Sequence, residues 1–276
     1  MNKEQRIKVF KNTIKMVEEM EEELDKDLIE RMQSETVLYN DKILIDYDSI
    51  KRYDHCEVMV IGNDYLKVIE NLKYNGLYPS LAYMSSGTTL GDGVFRGDSG
   101  IEEDIFRRTN IYKSLFQFSP IGKVYGIKER KEQYPLDTKF GCIYTPAVMV
   151  FRGSEKEGYY YYDIMFLTNV ISCPLYNKEQ VEADDICDIL KNKIRQIFDC
   201  AILHHNASIV ISANSYCTND ANTTEIAKTI HEVIDEDNYK NAFKLICFAF
   251  NDINDNSGVN SNMYNFNVFR KEFSNE

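Results

Sequence analysis

The chain has no apolar run approaching the roughly twenty residues that a bilayer-spanning helix needs. Its first residues, MNKEQRIKVFKN, are too polar for a secretory signal. A soluble, cytoplasmic protein is the expectation. Basic clusters are also missing: the net charge is −12, which argues against general nucleic-acid binding, because phosphate contacts need grouped lysines and arginines. The seven cysteines contain no C-x-x-C pair, and the four histidines are not spaced beside them as ligands, so no zinc site is expected. No other cofactor is called for. The cysteines sit in apolar settings such as FGCIYTP and LICFAF, as reduced core thiols do. His204–His205, at the end of an amphipathic helix pattern, reads as structural. Long Pro/Ser-rich linkers and internal repeats are absent too. A single domain over 1–276 is expected, with a helical extension at 1–40 and an α/β core at 57–276.

What is present begins with a helix over the first thirty-odd residues. Ile7, Phe10, Ile14, Val17, Leu24 and Leu28 recur at three- and four-residue spacings, and the acidic run EEMEEELDKD makes a solvated face. Short apolar runs then alternate with helical patterns. EVMVIGN, LYPSLAYMSS, FGCIYTPAVMVFR, GYYYYDIMFLTNVISCP, ASIVISA and KLICFAF read as strands. DYLKVIENLKYNG, IEEDIFRRTNIYKSL, residues 179–203 and residues 223–236 read as helices. Strands separated by helices predict an α/β sheet covered on both faces.

One segment stands apart, GTTLGDGVFRGDSGIEED at 87–104. Its glycines permit positive φ and close approach of main chain to a ligand. A glycine-rich loop between strand and helix can also hold phosphate on exposed amides. The spacing is neither a P-loop nor a G-x-G-x-x-G fingerprint. The paired glutamates that follow admit an ordinary reading. Ser99-Gly-Ile-Glu102 has the form of a capping box, and Glu103 stands one turn from Arg107.

The same segment resembles the signature of the bacterial-type poly(ADP-ribose) glycohydrolases, a macrodomain family: three glycines, a short spacer, Gln-Glu-Glu and Arg-Arg. Gly91-Asp92-Gly93, Ile101-Glu102-Glu103 and Arg107-Arg108 fill those places. SETVLYN, VMVIGNDYLKVIENL, RRTNIYKSL, IYTPAVMVFR, VISCPLYN, IVISANSYCTNDANTTEIAKTI, LICFAF and YNFNVFRKEF resemble other stretches of that family, in the same order.

The resemblance implies a three-layer α/β/α macrodomain with a central mixed sheet. Its ligand would be ADP-ribose or its polymer, bound in a cleft above the sheet. It also implies hydrolysis of a ribose glycosidic bond, with Glu103 as general acid and Glu102 as ribose ligand. The ligand would meet Thr89, Gly91, Asp92, Gly93, Val94 and Phe95 in the first loop. In the second loop it would meet Ser212, Ala213, Asn214, Ser215, Tyr216, Cys217, Thr218 and Asn219.

The chain departs from the family at several of these positions. Thr89-Leu90 replaces Asn-Pro, Asp92 the middle glycine and Ile101 the glutamine, while Tyr83 stands where an asparagine is common. The second loop has lost every glycine and its stacking aromatic. Thr223 or Asn222 can still cap the next helix. Two alternatives therefore stand beside the hydrolase. One is a catalytically weak or inactive macrodomain that binds ADP-ribose or another NAD-derived nucleotide. The other is a scaffold whose acidic helix engages a partner.

Overall fold

The computed structural model describes residues 1–23, 26–174, 186–217, 223–253 and 261–274. Two N-terminal helices, α1 (Lys3–Glu23) and α2 (Lys26–Glu35), stand where one was expected. They lead into β1 (Val37–Tyr39) and β2 (Glu57–Ile61). Helix α3 (Tyr65–Tyr74) starts at Asp64, whose carboxylate accepts from the amides of Leu66 and Lys67, and it runs out ahead of Gly76, whose φ is +76°.

Next come β3 (Ser80–Tyr83), the short α4 (Asp92–Arg96), α5 (Ile101–Arg108) and α6 (Tyr112–Leu115). The expected single helix over 101–115 is broken at Thr109, which is extended and bridges Val150. Neighbouring Asn110 exchanges hydrogen bonds with the main chain of Met149. Pairing with the sheet outcompetes continuation of the helix there.

The remaining elements are β4 (Cys142–Arg152), β5 (Tyr161–Ser172), α7 (Ile186–Leu203), β6 (Ser208–Ser212), α8 (Thr223–Ile234), β7 (Leu245–Ala249) and α9 (Asn262–Phe273). Pro146 falls inside β4, at the irregularity between Thr145 and Val148, where the ladder to β5 shifts register.

The seven strands run in the order β1-β4-β5-β3-β6-β7-β2. From β5 to β2 all neighbours are parallel, while β4 is antiparallel to both β5 and β1. The sheet is mixed. Alternation along its central strands separates two apolar layers. Ile209, Ile211, Ile246 and Phe248 face α7, α8 and α9, whereas Val210, Leu245, Cys247 and Ala249 face the side that holds α1, α2, α3 and α5. This is the three-layer α/β/α arrangement. Phe10 and Val17 of α1 belong to the same buried cluster as Tyr83, Val94 and Phe106.

Among the described residues no helix is long and apolar enough to cross a membrane, and the seven cysteines are free thiols. His204 lies flat on Tyr144, with ring centroids 3.5 Å apart, and bonds the Tyr39 hydroxyl at 3.0 Å. Burial pushes its pKa down to about 4, which fits a packing role.

Candidate active site

The parallel strands β2, β3, β5, β6 and β7 end on one edge of the sheet, and the segments leaving them meet there. Asn251, after β7, donates its amide to Asn214 Oδ1 at 2.6 Å and accepts from the Tyr65 amide at 3.2 Å. The Met84 amide, after β3, donates to Ser215 Oγ at 3.2 Å. From this edge the glycine segment climbs away and returns into α5.

Gly91 and Gly97 bracket α4 with φ of 61° and 74°, the left-handed region where a side chain is strained. The return places both glutamates in the first turn of α5. Gly100 is the N-cap residue and supplies no side-chain bond, so the Ser99 capping box does not form.

Glu102 is 7% exposed, and its Oε1 accepts from the Ser86 amide at 3.3 Å, directly off the end of β3. Burial, followed by the adjacent negative charge of Glu103, raises its pKa to about 8, against the opposing pull of amide bonds from Ser86 and Gly91. At neutral pH this carboxyl carries a proton.

Glu103 is half-buried, and its carboxylate lies between two main-chain surfaces. A Cβ on Gly93 would overlap Oε1, and one on Gly100 would overlap Oε2. Among the described residues the carboxylate has no hydrogen bond or ion pair, so the pairing with Arg107 is not made. Arg107 donates instead to the Asp98 carbonyl at 2.5 Å.

Behind the glutamates α5 is fixed by a buried polar network. Arg108, fully buried, grips Asp64 through both carboxylate oxygens at 2.8 Å each and reaches Asp104 at 2.9 Å. Asp104 also accepts from the hydroxyls of Tyr65 at 2.6 Å and Tyr159 at 2.8 Å. Burial alone would raise the Asp64 pKa, but Arg108 holds it below the usual value. None of these partners was singled out in the sequence. The one signal was Arg108 following Arg107 on a helix rich in acids.

The other expected ligand residues divide into groups. Val94 is buried, and Phe95 packs among Phe10, Phe116 and Tyr125 with centroids 5.6–6.3 Å apart, so main chain is what these two can offer. Thr89 is exposed, and its amide bonds Ser86 Oγ at 3.1 Å. Asp92 is exposed and ion-paired with Arg96, which also holds Asp98, so its charge is matched one turn away.

In the second loop Ala213–Ser215 forms a single 3-10 turn. Ser212, Ala213, Ser215, Tyr216 and Cys217 are buried. Asn214 Nδ2 bonds the Asn251 carbonyl at 3.3 Å, and Ser215 Oγ bonds the Ser212 carbonyl at 2.5 Å. Thr218, Asn219 and Asn222 lie outside the described residues. Thr223 opens α8 and bonds Asn265 at 2.7 Å.

The sequence model of the microbial-type PARG catalytic domain, the poly(ADP-ribose) glycohydrolase family, matches residues 5–153, more than half of the 276. The chain belongs to that family. No curated protein sequence matches this glycohydrolase-family chain significantly. Solved structures do match it. Poly(ADP-ribose) glycohydrolase from Thermomonospora curvata has a TM-score of 0.75 at 17% identity, over 97% of this chain and 99% of that one. The enzyme from Deinococcus radiodurans in complex with ADP-ribose has a TM-score of 0.68 at 20% identity, over 88% and 96%. At such identities the likeness speaks to the macrodomain-like fold.

Proposed function

We propose that this member of the poly(ADP-ribose) glycohydrolase family hydrolyses a ribose glycosidic bond of ADP-ribosyl groups, with Glu103 as general acid and Glu102 as ribose ligand. One observation carries the assignment: Glu103 presents a carboxyl with no protein partner, confined between Gly93 and Gly100, beside a second carboxyl buried at the end of β3. The proton on Glu103 passes to the departing glycosidic oxygen as the bond from that oxygen to the anomeric carbon breaks. Water then adds to the oxocarbenium-like ribose, and the proton it loses returns to the Glu103 carboxylate and restores the acid. Glu102, neutral below about pH 8, can donate to a ribose hydroxyl without setting a second negative charge beside an anionic nucleotide. The Deinococcus structure holds ADP-ribose and a second Thermomonospora structure holds the inhibitor ADP-HPD, which supports the same ligand class here.

The test is turnover of poly(ADP-ribose) by wild type and by Glu103→Gln. Release of ADP-ribose should fall by about a hundredfold or more in the variant, with its melting temperature little changed. Equal rates would defeat the acid assignment.

The second loop favours one other reading. Asn214 and Ser215 spend their side chains on Asn251, Ser212 and Met84, an arrangement a non-catalytic ADP-ribose binder would tolerate. Calorimetric binding of ADP-ribose with no turnover by wild type would select it.

A further inference from the structure

Helix α1 lies against both walls that confine Glu103. Lys3, Arg6, Phe10 and Thr13 recur at three- and four-residue spacing and so share one helical face. Against the glycine segment, a Cβ on Gly97 would overlap the Lys3 carbonyl, so main chain meets main chain with no side chain between. Lys3 Nζ stands 3.4 Å from Asp98, Arg6 Nη1 donates to the Gly97 carbonyl at 3.4 Å, and Phe10 meets the Phe95 ring edge-on at 5.6 Å. Against α5, Phe10 packs on Phe106 at 6.2 Å, and Thr13 Oγ1 donates to the Arg107 carbonyl at 2.6 Å.

Arg6 joins the two walls by a second route. Its Nε and Nη2 each reach Glu155 at 2.8 Å. The Tyr159 hydroxyl donates to Asp104 at 2.8 Å and lies 3.3 Å from Glu155 Oε2, and Asp104 is the residue after Glu103. The Gly97 carbonyl is thus connected through Arg6, Glu155 and Tyr159 to the helix that bears the acid. The bond between Arg6 and Glu155 draws the Glu155 pKa down to about 2, so this link stays ionised at working pH.

We propose that α1 is a positioning element of the site, with Arg6 its key residue: it holds Gly97–Asp98 and Phe95 on one side and α5 on the other, so that the Glu103 carboxylate stays between Gly93 and Gly100. Its kinetic consequence rests on the hydrolase reading above; its structural consequence does not. Misplacement of a catalytic group by an ångström can cost about a hundredfold in rate. Partial loosening should therefore appear in kcat before KM.

The test uses the full chain with Arg6→Ala, Arg6→Lys and, as a milder change, Thr13→Val. Amide hydrogen exchange over residues 92–100 is measured beside exchange in β6 and β7, together with kcat and KM on poly(ADP-ribose). In Arg6→Ala, exchange over 92–100 should rise about tenfold with β6 and β7 unchanged. The kcat should fall about tenfold and KM less than threefold. Arg6→Lys should recover part of both, and Thr13→Val should shift both in the same direction by less. Unchanged exchange over 92–100 in Arg6→Ala and Thr13→Val, or a uniform rise that includes β6 and β7, would overturn the proposal. A wild type without turnover would remove the hydrolase reading, and the exchange result would still decide the role of α1.

Discussion

Gly93 and Gly100 concern one side chain. Neither has a positive φ, so alanine fits the backbone at both, and what a Cβ would strike is the far end of Glu103. Gly93→Ala should therefore leave the fold nearly as stable as wild type while displacing the carboxyl, with activity down about tenfold or more. An unchanged rate would show that the close approach has no catalytic meaning. Gly97 is a different case, because its positive φ and the Lys3 carbonyl make its requirement a backbone one.

Glu102 carries a pH signature. Its folded pKa of about 8 lies above the ordinary 4.5. The stability linked to its proton is full below about pH 4.5 and is lost as the pH rises through about 8. Glutamine does not titrate, so between those limits the stability difference should move in favour of Glu102→Gln, by about 4–5 kcal/mol in all by pH 8. A melting-temperature difference that is flat with pH would contradict the assigned burial. Activity should also decline as the pH rises through about 8, when Glu102 loses the proton it would donate to the ribose.

At the scale of elements, what the sequence disclosed and what it hid have different physical causes. Strands β2, β4, β6 and β7 were legible because apolar runs between helical patterns have few other uses. The glutamate pair was legible through its spacing from Gly91 and Gly93. The break at Thr109 was hidden, because the apolar period continues through it and only pairing with Val150 ends the helix. The glycines also serve a nearer partner than expected, closing main chain on Glu103 itself. The asparagine and serines of the second loop read as a loss of glycine, whereas Asn214 and Ser215 tie three strand ends together, through bonds between residues far apart in sequence. The anchor of α5 was invisible for the same reason. Arg108→Ala would leave Asp64 and Asp104 buried without their cation, and a loss of about 3 kcal/mol in denaturant unfolding is expected. A loss below about 1 kcal/mol would show that the network is dispensable.

Across the whole molecule, the sheet gathers five strand ends on one edge. The α1 side of the sandwich supplies the wall that holds the glycine segment, and the α7–α9 side gives the sheet a rigid backing. The surroundings of the Glu103 carboxylate are held by elements from opposite ends of the matched region: Lys3 and Arg6 near its start, Arg152 and Glu155 at or just past its end. At 17–20% identity to its solved relatives the chain keeps their fold. The most direct test is a crystal structure of this protein with ADP-ribose bound. The account predicts the ribose in the cleft over the end of β3, with the Glu103 carboxyl within hydrogen-bonding distance of its anomeric oxygen. ADP-ribose bound elsewhere, or bound there with Glu103 turned out to solvent, would contradict it.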